Sequence, residues 1–230
     1  MRKLVLFDID GTLLNSDGAG RTAVHAAFRE QLDLPYDPGV PFDGKTDPQI
    51  IRELFAVAGR ADADLDAAIS AVCSRYLELL AAELAGGTHA IRLLPGIPAL
   101  LDALEGRADA LLGLLTGNLI DGARLKIGAA GLRFERFRVG AYGSDNADRG
   151  ALPAIAAERA RPLMGRRPHG TEVVILGDTP ADMICGRGIG ARSIGVATGR
   201  YAPDQLRDAG AWRVFESLAD TEAVLEAVLA

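Results

Sequence analysis

Apolar positions along the chain fall into two repeating patterns. Short, nearly continuous apolar runs occur at 4–8, 110–116, 138–142, 172–178 and 192–197. Runs of this length, without strict alternation, read as strands of a parallel sheet covered on both faces. Between the later runs, segments 121–130 and 152–161 repeat their apolar residues at helical spacing. Strand and helix in alternation predict an α/β fold built on a doubly wound, Rossmann-like parallel sheet.

The first crossover breaks that rhythm. From Asp10 to Ala110 no run reads as a strand, and helical patterns fill the interval. The first, 19–32, places Val24, Ala27, Phe28 and Leu32 on one stripe. The second, 47–58, does so with Ile50, Ile51, Leu54, Phe55 and Ala58. The third, 62–84, carries Leu65, Ile69, Val72, Tyr76, Leu80 and Leu84. Asp47 reads as the N-cap of the second, with Pro48 at its first helical position. Gly86-Gly87 and Pro95-Gly96 mark the return. The expected organisation is an α/β core domain from 1–15 and 90–230, interrupted by an all-helical domain over 16–89.

Composition narrows the partners. The chain has 230 residues, a net charge of −6 and a pI near 5.1. That acidity argues against nucleic acid or an anionic membrane as partner. Two cysteines, Cys73 and Cys185, make no disulfide framework and point to a reducing, cytoplasmic setting. The N-terminal apolar run ends at Asp8, too short for a signal peptide, and no stretch reaches membrane-spanning length. The expectation is a cytoplasmic monomer or homodimer acting on a small molecule.

Ligands of open α/β sheets bind beyond the carboxyl ends of the strands, so the residues that end each run carry the chemistry. The first run ends in Asp8-Ile9-Asp10, the second in Thr116-Gly117-Asn118, and the fourth in Asp178-Thr179-Pro180-Ala181-Asp182. Just past the third come Asp148 and Arg149. Two acids at i and i+2 of an extended segment point the same way, and their repulsion calls for a cation. Several carboxylates at one point suit Mg²⁺. A hydroxyl and a fixed positive charge beside them turn a metal site into a phosphate site. One aspartate is then placed to act as nucleophile, and the other to give and take a proton.

FDIDGTLLNS, LLTGN and LGDTPADM resemble motifs I, II and IV of the haloacid dehalogenase superfamily, over a span from Leu4 to about Gly199. The helical insertion resembles the C1 cap of its phosphoglycolate-phosphatase-like members. The resemblance implies a Mg²⁺-dependent phosphatase acting on a small phosphorylated metabolite. Asp8 would be nucleophile and metal ligand, and Asp10 the general acid and base with its carbonyl on the metal. Thr116 would hold the phosphoryl group, with Gly117 and Asn118 beside it. Asp178 would bind Mg²⁺, and Asp182 would support it directly or through water. Motif III departs from the pattern. Where the family usually carries a lysine, this chain reads DRGALPAIAAERA, and Arg149 takes the position.

Plainer readings stand beside these. Asn118 reads best as the N-cap of the following helix, and Asp178 and Asp182 suit a helix start. Gly186–Ala191 follows a helix and precedes a strand, the reverse of a dinucleotide fingerprint, and reads as a helix stop. His25, His89 and His169 lack metal spacing. Cys73 and Cys185 read as core. In the stretch FDGKTD, Gly44 makes a turn and Thr46 or Asp47 caps a helix, while Lys45 faces the site and could meet an anionic part of the substrate. Three rival activities share the fold or the site. A dehalogenase would need neither Asp10 nor a metal, a β-phosphoglucomutase-like enzyme would return the phosphoryl group to a sugar, and a phosphate-binding protein would keep the site without turnover.

Overall fold

A computed structural model of the chain describes residues 2–32, 39–60 and 64–230. The first two positions of the expected helix 62–84 fall outside these. Strand β1 (Lys3–Phe7) leads into a tight turn and a two-residue strand β2 (Leu14–Asn15). Helices α1 (Ala19–Leu32), α2 (Asp47–Val57) and α3 (Leu65–Ala85) follow, then β3 (Arg92–Leu93). Alternation then sets in with α4 (Ile97–Glu105), β4 (Ala110–Leu115), α5 (Ile120–Ala129), β5 (Val139–Ala141) and α6 (Leu152–Met164). It continues through β6 (Val173–Gly177), α7 (Pro180–Cys185), β7 (Arg192–Val196), α8 (Pro203–Asp208), β8 (Arg213–Phe215) and α9 (Thr221–Leu229).

Six strands form one sheet in the order β5-β4-β1-β6-β7-β8, every pair parallel. The order reverses beside β1, so β1 ends at the switch point where such sheets bind ligands. Successive side chains of β1 serve opposite faces, as strand geometry requires. Val5 and Phe7 pack with Ile97, Leu101, Ile127 and Val224, whereas Leu4 and Leu6 pack with Leu152, Ala156 and Ala160. Helices therefore cover both faces. Phe7 is fully buried, and truncating it to alanine would cost about 3–5 kcal/mol.

Helices α1, α2 and α3 close on a cluster of their own, with Val24, Phe28, Ile51, Leu54, Phe55 and Tyr76 at its centre. Leu119, just ahead of α5, is the buried residue the sheet side contributes to it. The sequence expectation of no strand between Asp10 and Ala110 is corrected here. β2 and β3 pair antiparallel, Leu14 with Leu93 and Asn15 with Arg92, and so tie together the two chain crossings into the helices. Two residues are too few to print a pattern. β8, also unforeseen, is a short edge strand beside β7, with Arg213 exposed.

Candidate active site

Because every strand of the large sheet runs the same way, the run-ending residues emerge on one rim. They line a cleft of about 240 Å³ roofed by residues of α1–α3 and the loop before α2. Asp8, Asp10, Thr116, Gly117, Asn118, Arg149, Asp178 and Lys45 all reach it. Asp182 lies just behind, fully buried.

Asp8 extends β1 by one residue, its N–H donating to the Leu176 carbonyl at 2.9 Å. Gly11 then turns the chain at φ 79°, and a Cβ there would stand 2.3 Å from Asp178 Oδ2. Only glycine lets the turn lie against that carboxylate. Asp8, Asp178 and Asp182 offer oxygens all within 4.8 Å of one another. Burial pushes the Asp8 carboxyl up to about 6; Arg149 opposes this and Asp182 adds to it. Asp178 is pushed well up by burial and by the charges of Asp182 and Asp8. Such strain is what a hard divalent cation relieves.

The donor set fits a metal, with a division of labour. Asp182 Oδ2 accepts from Thr179 N at 3.0 Å and Thr179 Oγ1 at 2.6 Å, closing a capping box at the start of α7. Its Oδ1 accepts from Arg149. Asp182 thus stands at the helix start as the third residue of α7, and Thr179 is the cap. With both Asp182 oxygens engaged, Asp8 and Asp178 are the carboxylates open to an ion.

Arg149 sits in the turn ahead of α6 and is 7 % exposed. Its Nη2 bonds Asp182 and lies 3.3 Å from Asp8 Oδ1. Burial opposes its charge, but Asp182 and Asp8 outweigh it and hold the guanidinium protonated. Its Nε is buried without a hydrogen-bond partner among the described residues. A buried donor left unpaired is a costly arrangement. Arg159, ten residues on, instead holds Asp145 and the Gly140 carbonyl.

Thr116 is fully buried, and its Oγ1 accepts from Asn118 N at 3.3 Å and Asn118 Nδ2 at 2.8 Å. Two accepted bonds leave its own hydrogen to donate into the cleft. Asn118 is not the helix cap expected of it. Leu119 occupies that position, and the α5 amide at Leu119 donates to Asp47 Oδ2 at 2.8 Å. A side chain from the helical layer has displaced the local one. The cap of α2 is likewise Thr46, whose hydroxyl accepts from Gln49 N at 3.2 Å, and Asp47 is the first helical residue. Extended backbone at Thr46 and the inward demand on Asp47 decide this.

Asp10 gathers Asn118 and two side chains that sequence reasoning missed, Ser16 and Lys126. Its Oδ1 accepts from Ser16 at 2.8 Å, and its Oδ2 from Asn118 Nδ2 at 2.9 Å and from Lys126 Nζ at 2.6 Å. Burial would raise this carboxyl, but Lys126, Asn118 and Ser16 together hold it below the usual range. Lys45 lines the cleft while pairing with Glu53 of α2. The scattered histidines stay clear of the cleft lining, and Cys185 is buried.

The sequence profile of the haloacid dehalogenase-like hydrolases matches residues 2–190. The chain belongs to this family. A phosphoglycolate phosphatase of Rhodospirillum rubrum is 29 % identical over 223 residues, 95 % of this chain and 89 % of that protein. Among solved structures, a hydrolase from Pseudomonas syringae superposes with a TM-score of 0.76 at 22 % identity, each chain fully covered. CbbY from Rhodobacter sphaeroides, solved with phosphate, gives 0.71 at 25 % identity over 96 % of each chain.

Proposed function

We propose that the protein is a Mg²⁺-dependent phosphatase that hydrolyses a small phosphate monoester through a phosphoryl group carried on Asp8. The observation that carries this is Arg149: a buried guanidinium that lines the cleft 3.3 Å from Asp8. A phosphoryl group on Asp8 would meet the Arg149 charge and the free hydroxyl hydrogen of Thr116. The named activity of the Rhodospirillum relative supports the same reading.

Asp8 and Asp178 would hold Mg²⁺ together with the Asp10 carbonyl, and Asp182 would steady them through Arg149. Bound there, the ion would cancel charge between carboxylate and phosphate and polarise the phosphoryl oxygens. An Asp8 oxygen attacks phosphorus as the ester P–O bond breaks, and Asp10, ionised at rest, takes the proton that the ester monoanion brings and passes it to the departing oxygen. Water then attacks the same phosphorus, giving its proton to Asp10. Inorganic phosphate leaves and Asp8 is restored. Arg149 and Thr116 hold the transferring oxygens throughout.

The helical segment 16–89 serves in this reading as a cap on a core formed by 1–15 and 90–230. It limits the substrate to a small cytoplasmic metabolite such as a phosphoglycolate-like acid, with Lys45 facing the substrate's distal end. Phosphate release from a panel of small phosphomonoesters, with Mg²⁺ or with chelator, tests the proposal. Release that needs Mg²⁺ and is lost in Asp8→Asn supports it. Transfer to an added sugar without phosphate release would mean mutase chemistry, and no turnover of any ester would leave a binding protein.

A further inference from the structure

Lys126 is a lysine on the inward stripe of α5, between Ala123 and Ile127, and only 4 % exposed. A buried ammonium must be fully hydrogen-bonded to persist. The other buried lysine, Lys3, meets this need with a backbone carbonyl, Thr171 O at 3.0 Å, and bonds no side chain of the cleft. Lys126 meets it with two cleft side chains, Asp10 Oδ2 and Asn118 Oδ1, both at 2.6 Å.

We propose that Lys126 is a positioning residue that fixes the Asp10 carboxyl, and through Asn118 the Thr116 hydroxyl, for proton transfer to the leaving oxygen. The inference rests on the phosphatase reading of the site. Three features of the geometry argue it. Lys126 and Asn118 Nδ2 together fill both acceptor directions of Asp10 Oδ2. Ser16 takes one direction of Oδ1, so one remains, and proton traffic runs through Oδ1. Lys126 also sets the Asn118 amide, because its oxygen must face the ammonium and its NH₂ must then face Asp10 and Thr116. Finally, the helical layer seals the amine. A Cβ on Gly20 of α1 would lie 3.2 Å from Lys126 Nζ, so backbone there stands close over it. In the step itself Lys126 keeps its protons. A proton brought by the ester monoanion passes through Asp10 Oδ1 to the ester oxygen as the P–O bond breaks, and the bonding pair stays with that oxygen.

The test compares kcat/KM for Lys126→Met and the parent enzyme on a primary alkyl phosphate and on p-nitrophenyl phosphate, whose phenolate leaves without a proton. Loss of a positioned acid should lower the alkyl phosphate value about a hundredfold, the scale of a misplaced catalytic group. The p-nitrophenyl value should fall less than about threefold. Lys126→Gln, which keeps a shorter donor, should fall between parent and methionine variant in that ratio. If the methionine variant does not fold, the glutamine variant decides by the same ratio. Equal losses on both substrates, or no loss on either, would overturn the proposal. A parent enzyme inactive on both esters would instead overturn the phosphatase reading, and this inference with it.

Discussion

Arg149 does two things that mutation separates. In the proposed reaction it would supply charge to a phosphoryl group, and in the fold it pairs with Asp8 and Asp182. Arg149→Ala should therefore lower kcat/KM about a hundredfold. It should also destabilise the fold by about 3–5 kcal/mol, since Asp182 is left buried and unpaired. Arg149→Lys should recover part of both losses, limited by its shorter reach and single donor head. Steady-state kinetics and urea unfolding check the two effects independently. Asp47 gives a pH prediction. Burial pushes its carboxyl up to about 6, with Lys126 opposing. The folded chain therefore holds a proton there that the unfolded chain has released between about pH 4 and pH 6. Stability from this residue is present below that window and falls by on the order of 3 kcal/mol across it as pH rises. Asp47→Asn should remove that part of the fall, read from unfolding curves at pH 4.5 and 6.5; curves of equal slope in both proteins would contradict it. The run-ending acids were legible in the sequence because a carboxylate after a buried strand has no packing reason to be there. Lys126 was legible only as a lysine on an apolar helical stripe, a signal that needs the helix orientation to interpret.

Elements were legible in proportion to their length. The five long apolar runs and the helices beside them form as the pattern requires, with ends moved by up to three residues. β2, β3 and β8 were not legible, because two or three residues carry no period and their pairing is decided by distant partners. The loop before α2 shows the same limit. Its docking on the sheet rim rests on the Asp47 N–H to Gly117 carbonyl bond at 2.8 Å and on Thr46 Oγ1 donating to Ala147 O at 2.8 Å. Arg200 Nη1 adds a bond to Asp43 Oδ2 at 2.6 Å. A Cβ on Gly117 would stand 2.0 Å from the Lys45 carbonyl oxygen. Gly117→Ala should push this loop off the rim and lower kcat/KM at least tenfold while the sheet stays folded. Circular dichroism and kinetics on one preparation check this; wild-type kcat/KM would show that the loop docks without Gly117.

For the molecule as a whole, ion pairs are spread over the surface, and two buried cations stand in the cleft. Arg149 and Lys126 are buried beside Asp8 and Asp10, and no helix among the described residues is long and apolar enough to cross a membrane. That arrangement leaves three clustered carboxylates, Asp8, Asp178 and Asp182, facing the single charge of Arg149. Chelation should silence turnover and Mg²⁺ restore it, and Asp178→Ala should raise the Mg²⁺ concentration needed for half activity at least tenfold, as a metal titration would show. The most direct test of the account is acid quenching of the enzyme during turnover of a small phosphomonoester with Mg²⁺, followed by mass spectrometry of the peptide holding Asp8. The account predicts a phosphoryl group on Asp8, absent when chelator is added before substrate. Phosphate release with Asp8 unmodified, and equal turnover by Asp8→Asn, would contradict it.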